Sequence, residues 1–175
     1  MATELHQAKR PVSLLAGPYG HPLHPVLVTV PIGAWVASFV FDLASRWSGE
    51  PLVFAKGAFW LVGLGVVGAL AAAMFGFLDL FAIPTGTRAF RTGLLHMTVN
   101  LVVVSCFAGS FLLRRGRLDQ AGGVPTALIV LSAVALVLLA VAGWLGGQLA
   151  YRYGVRVADE SAQVDGYRTG HGPNH

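Results

Sequence analysis

Two of the six histidines in this 175-residue chain stand in the run Gly20-His21-Pro22-Leu23-His24-Pro25. A third, His96, lies four residues after Thr92 and four before Asn100. Positions four apart share one face of a helix, so Thr92, His96 and Asn100 form a polar stripe about three turns long. Neutral imidazole is an axial ligand for haem iron and a donor to Cu or Zn. His24 and His96, on separate segments, would clamp a b-type haem, with Asn100 or Asp79 orienting a ring N–H from behind. Adding His21 and Asp79 gives a four-donor set for a transition metal. Each of His21 and His24 precedes a proline, which biases it toward extended angles. Pro25 then suits the first helical position, where its missing N–H costs nothing. The pair is therefore expected on a stiff strap at the mouth of whatever follows. A reading without a cofactor is equally available: the histidines cap helices and hydrogen-bond to their neighbours.

The elements that must position these residues follow from the charges. Only 20 residues are Asp, Glu, Lys or Arg, 11% of the chain, against about 25% in ordinary soluble domains. With 55% hydrophobic residues and a mean hydropathy of +0.66, a water-soluble monomer and a disordered chain are both excluded. Uncharged gaps mark four spans, roughly 26–46, 56–80, 92–113 and 125–150, each long enough for a hydrocarbon core of about 30 Å. Such runs lack the alternation of barrel strands, so they are helices. Short connections force antiparallel neighbours. The expected fold is an all-α, integral-membrane, up-down-up-down four-helix bundle. It comprises an N-terminal segment (1–25), the bundle (26–154) and a polar, disordered tail (155–175). The N-terminal stretch PVSLLAG is too short for a signal peptide. The lipid bilayer is the first partner, and small residues on the second span (Gly65, Ala69, Ala73; Gly68, Ala72, Gly76) suit helix packing or a homo-oligomer.

Alternating directions bring His21, His24, Asp79, His96, Asn100, Gln148 and Tyr151 to one membrane face, with only ordinary loop charges expected at the other. A polar pocket on the side of the termini is the expectation. That side carries seven cations against five, so the positive-inside rule puts the termini in the cytoplasm. The spacings His24 to Gly76 and His96 to Gly147 are nearly equal, as two hairpins related by an axis along the membrane normal would be. Asp42 is expected to reach water or pair with Arg46. Trp35 and Trp60 are expected to pack inside, while Trp47, Trp144 and Tyr151 suit interfacial belts. The single Cys106 excludes an intrachain disulfide framework. No Ser-His-Asp spacing, HExxH motif, P-loop or dinucleotide fingerprint occurs, so no enzyme class is indicated. Nor do aromatic and basic residues interleave as nucleic-acid binding requires.

Three segments, GHPLHPVLVTVPIGAWVASFVFDL, GFLDLFAIPTGTRAFRTGLLHMTVN and GWLGGQLAYRYGV, resemble the bacterial four-span membrane family catalogued as domain of unknown function 2231. The resemblance covers about residues 20–156 and implies a multi-pass protein of the bacterial inner membrane. Relatives often carry a third histidine where this chain has Thr29, and Glu where it has Gln148. A metal or proton role at those two positions does not transfer here. Some members look like fusions with Rieske-type or cytochrome c domains, which implies a redox neighbourhood. Three functions stay open: a small membrane subunit or anchor for redox and electron-transfer partners, a haem or metal protein using His24 and His96, and a small transport subunit.

Overall fold

The computed structural model describes residues 2–13, 16–17, 21–118 and 122–167. Pro18 and Gly20, the 119–121 part of the third connection, and the tail from Arg168 with His171 and His175 lie outside the described residues. Among the described residues four helices are long and apolar enough to cross a membrane: Leu23–Trp47, Pro51–Phe81, Arg88–Arg115 and Thr126–Arg152. The described residues contain no strand, and the fold is an all-α membrane bundle.

A short α1 (Ala2–Lys9) precedes the first span, which is split into α2 (Leu23–Leu27) and α3 (Thr29–Trp47). The split falls where Pro31 has no N–H to offer the carbonyl of Leu27, so the ladder is interrupted. α4 (Pro51–Phe81) and α5 (Arg88–Arg115) follow, then α6 (Thr126–Gly147), a π-helical turn (Gln148–Arg152) and a short α7 (Glu160–Asp165). The helices overrun the charge-free gaps because their ends carry start signals. Pro51 opens α4 in the first turn, and the Thr87 hydroxyl oxygen accepts from the N–H of Phe90 at 3.1 Å to cap α5. At 31 residues α4 is about 46 Å long, so its ends stand beyond the hydrocarbon core or it tilts.

α3 packs mainly on α4 and α5 on α6; α4 against α5 joins the two hairpins, and α3 against α6 closes the ring. At its centre the Trp35 indole stacks on the Phe107 ring, centroids 4.3 Å apart, among Val62, Ala69, Val103 and Ala135. The space a Cβ would take at Gly65 is filled by that indole, while those at Gly68 and Gly76 would meet Val30 and His24, so the small-residue stripe of α4 admits side chains of the first span. Gly65, Ala69 and Ala72 are buried, whereas Ala73 faces outward. Trp60 does not pack inside as its mid-span position suggested. It is 70% exposed on the outer face of α4, a surface that lipid covers. Trp47, Trp144 and Tyr151 stand out from the helix ends.

Candidate functional site

Residues 72 positions apart meet in the middle of the bundle. His24 faces His96, Trp35 stacks on Phe107, and Asp42 is bonded to Arg114. On the partner helices the offset is 70: Ala72 and Ala142 play one role, Gly76 and Gly146 another. Equivalent residues can touch only near the axis that relates them, so the α3/α4 and α5/α6 hairpins are related by a pseudo-twofold axis along the membrane normal. The second glycine of the repeat is Gly146, one residue before the expected Gly147. Three contacts on this axis make a column: imidazoles at one end, stacked aromatics in the middle, and an ion pair at the other.

His24 lies inside α2, not on an extended strap. Pro22, which precedes the helix at ψ 129°, is extended. Pro25 falls within the first turn, where no N–H is needed for the ladder, so the helix starts earlier than Pro25. The Nδ1 atom of His24 lies 2.8 Å from the carbonyl oxygen of Ala72, and Nδ1 of His96 lies 2.8 Å from that of Ala142. A carbonyl only accepts, so both Nδ1 atoms carry the proton and both Nε2 atoms keep the lone pair. The rings meet at 87° with centroids 6.2 Å apart. Each is backed by glycine: a Cβ at Gly76 would sit 2.8 Å from the His24 ring, and one at Gly146 3.1 Å from that of His96. The Asn100 amide nitrogen lies 3.2 Å from Nε2 of His96 and donates to the His96 carbonyl at 2.8 Å. Asn100 therefore engages the lone pair of His96 rather than its N–H.

The other candidates do not join this pair. His21 is exposed. Asp79 is turned to the chain termini: Arg156 Nε lies 2.9 Å from its Oδ1, with both side chains nearly buried. Among the described residues no three of His, Cys, Asp and Glu group closely enough to hold a metal ion. The His21, His24, His96 and Asp79 set is thus not assembled as a metal centre. For a haem only the two imidazoles are needed. Their 6.2 Å separation is near what two rings on one metal ion would span, since the metal–nitrogen bonds take about 4 Å of it. The Asn100 contact at Nε2 of His96 opposes that use.

Arg156 is a residue the sequence reading did not single out. It sits at φ +59°, a left-handed angle rare outside glycine. Its guanidinium donates to the carbonyls of Ala16 (2.9 Å) and Gly17 (3.4 Å), and its N–H donates to Ala8 O at 3.0 Å. Lys9 reaches Glu160 at 2.8 Å and His6 lies 3.3 Å from Asp159. Both termini are thereby clasped to α4 at the histidine end.

The opposite end overturns the expectation of ordinary loop charges. Asp42 is fully buried and pairs not with Arg46 but with Arg114, in a bidentate contact of 2.6 and 2.7 Å. Arg114 Nε donates to Ser110 Oγ at 3.0 Å, and Ser132 Oγ donates to Asp42 Oδ2 at 3.2 Å. Arg46 instead donates to Val124 O at 3.2 Å. Eighteen residues separate Asp42 from His24, so the two ends of the column are about 27 Å apart, near the two borders of the hydrocarbon core.

Comparison with known proteins finds a family model described as "Predicted membrane protein (DUF2231)" matching residues 20–159. No curated protein and no solved structure matches.

Proposed function

The chain belongs to this family of predicted membrane proteins, and from that premise we propose that it is a small multi-pass subunit that anchors a partner protein in the membrane. Its intramembrane polar side chains serve as staples between its own helices. One observation carries the reading: each of the polar side chains His24, His96, Asp42 and Arg114 along the bundle axis is bonded to another helix of the bundle. The histidines bond to backbone carbonyls of α4 and α6, and the carboxylate of Asp42 lies in a fork of Arg114 with two serines beside it. Polar groups are costly in hydrocarbon, and satisfied ones bind helices where hydrophobic drive is absent. A rigid, self-satisfied bundle suits an anchor better than a transporter, whose path needs groups open to a substrate. The partner class is a redox protein of Rieske or cytochrome type, as the family resemblance suggests.

Purification from native membranes in mild detergent tests this. The anchor reading expects a second protein in stoichiometric amount, carrying the chromophore of the complex. A chain that always isolates alone sinks it.

A second reading rests on the tautomer. With both Nδ1 atoms donating to carbonyls, both Nε2 lone pairs are the ones a metal would take, the arrangement in which outer carbonyls orient ligating histidines. A two-imidazole centre would need Asn100 to release His96. The Asn100→Leu variant separates the readings: it raises affinity for added haem if the imidazoles are ligands, and lowers stability alone if they are staples.

A further inference from the structure

At the histidine end of the bundle, the outer face of the last span carries an open groove of about 390 Å³, lined by Trp144, Gly147, Gln148, Tyr151 and Arg152. We propose that this groove binds the headgroup and upper chain of one acidic phospholipid, with Arg152 on the phosphate.

The groove follows from the local sequence. Trp144 and Tyr151 stand seven residues apart, two turns along one helix face, and both are exposed. Between them Gly147 supplies a floor of bare backbone: within 4 Å a Cβ there would meet only the Tyr151 ring, and one at Gly143 would meet nothing. Gln148 to Arg152 form the π-helical turn, in which the Tyr153 N–H donates to the Gln148 carbonyl at 3.1 Å. That turn is wider than an α-turn, so it brings Arg152 round toward the side of Gln148. Length sets the depth. Thr126–Arg152 is 27 residues, about 40 Å, against about 30 Å of hydrocarbon, so with the span centred its last turn stands among the headgroups and Trp144 at the border.

Charge selects the ligand. Arg156 is neutralised by Asp79, but Arg152, four residues before it, is exposed, and none of the described carboxylates pairs with it. Its guanidinium lies 5.7 Å from the centroid of the Tyr153 ring, a contact that leaves the charge uncancelled. The half-buried Gln148 amide beside it makes no hydrogen bond among the described residues. A guanidinium fork and an amide donor match phosphate oxygens, whereas a zwitterionic lipid brings its own cation against the arginine. The other hairpin gives the contrast. Seventy positions earlier stand Phe77, Leu78, Phe81 and Ala82, and the Phe77 ring lies against Phe81 with centroids 4.8 Å apart. Where the last span has a glycine floor and an arginine, α4 has packed rings and no charge, so one site per chain is expected.

Native mass spectrometry of the full chain in neutral detergent, titrated with phosphatidylglycerol or phosphatidylcholine, tests this. Wild type should take up one phosphatidylglycerol about fivefold more tightly than phosphatidylcholine, the equivalent of about 1 kcal/mol for one arginine beside anionic lipid. The preference should vanish in Arg152→Gln, and uptake itself should fall in Gly147→Leu. Arg88→Gln/Arg91→Gln, which removes charge from the same border outside the groove, should leave both unchanged. No preference in wild type, a preference that Arg152→Gln keeps, uptake that Gly147→Leu retains in full, or a preference that the control also loses overturns the proposal. A dimer without bound lipid, broken by Gly147→Leu, assigns the groove to a second copy and overturns it as well. If Gly147→Leu does not fold, Arg152→Gln and the control decide, since all three arginines are exposed.

Discussion

The ion pair at the far end of the axis gives the sharpest energetic prediction. Asp42→Asn keeps the side chain's volume and removes its charge, leaving the guanidinium of Arg114 in a buried site with Ser110 and Ser132 as neutral partners. Breaking a buried pair from one side costs about 3–5 kcal/mol. Counting bonds gives a similar figure: two charge-assisted contacts, at 2.6 and 2.7 Å, at about 1.5–3 kcal/mol each. Arg114→Met should cost as much, because it strands Asp42. The double variant Asp42→Asn/Arg114→Met should cost well under the sum, with a coupling of at least about 2 kcal/mol. Ordinary hydrogen bonds between helices in bilayers average about 0.6 kcal/mol, so a coupling of that size identifies a charge effect. Because the two positions are equivalent across the pseudo-twofold axis, the exchanged pair Asp42→Arg/Arg114→Asp should recover at least half of the loss. Reversible unfolding in mixed detergent micelles, followed through the fluorescence of buried Trp35, is the assay. Additive single effects, or a coupling below about 1 kcal/mol, would refute the reasoning.

At the histidine end, Gly76→Ala places a Cβ 2.8 Å from the His24 ring and should cost about 1–3 kcal/mol, while Gly146→Ala, at 3.1 Å from His96, should cost less; the same unfolding assay ranks them. Arg156→Ala should release both termini without melting the bundle, seen as faster amide exchange in residues 5–9 and 154–160 and unchanged exchange in α3 to α6. The clasp should also loosen in acid. Hydrogen bonding from Lys9 holds the Glu160 carboxyl below its ordinary value of 4.5. The contribution of Glu160 is therefore complete above about pH 4.5 and is lost as pH falls through the lowered value. Glu160→Gln should remove that dependence of the exchange rates.

Four spans and their antiparallel order were legible because charge avoidance in lipid is a one-dimensional signal. Contacts between helices are not one-dimensional, and there the sequence misled. Asp42 lies four residues before Arg46, which suggested a local pair, but the low-dielectric interior favoured the partner that could bring a bidentate fork and two hydroxyls. The clue was present: Asp42 follows His24 by the same 18 positions as Arg114 follows His96, and Trp35 and Phe107 keep the same offset. The glycine and histidine spacings alone do not show it. His24 and His96 do meet across the axis, whereas His21 and Asp79 were grouped with them by membrane face alone. Asp79 pairs instead with Arg156, in a segment whose polarity hid its role. The interruption at Val28 followed from Pro31, but His24 became helical because a proline in the first turn leaves the ladder intact.

The account turns on whether the two axial histidines serve helices or a ligand. The most direct measurement is the visible spectrum, with and without dithionite, of the protein purified alone from native membranes, together with its metal content. The account predicts no Soret band and no stoichiometric metal, while His24→Ala and His96→Ala each lower the unfolding midpoint. A stoichiometric haem or metal that disappears in both variants would contradict it.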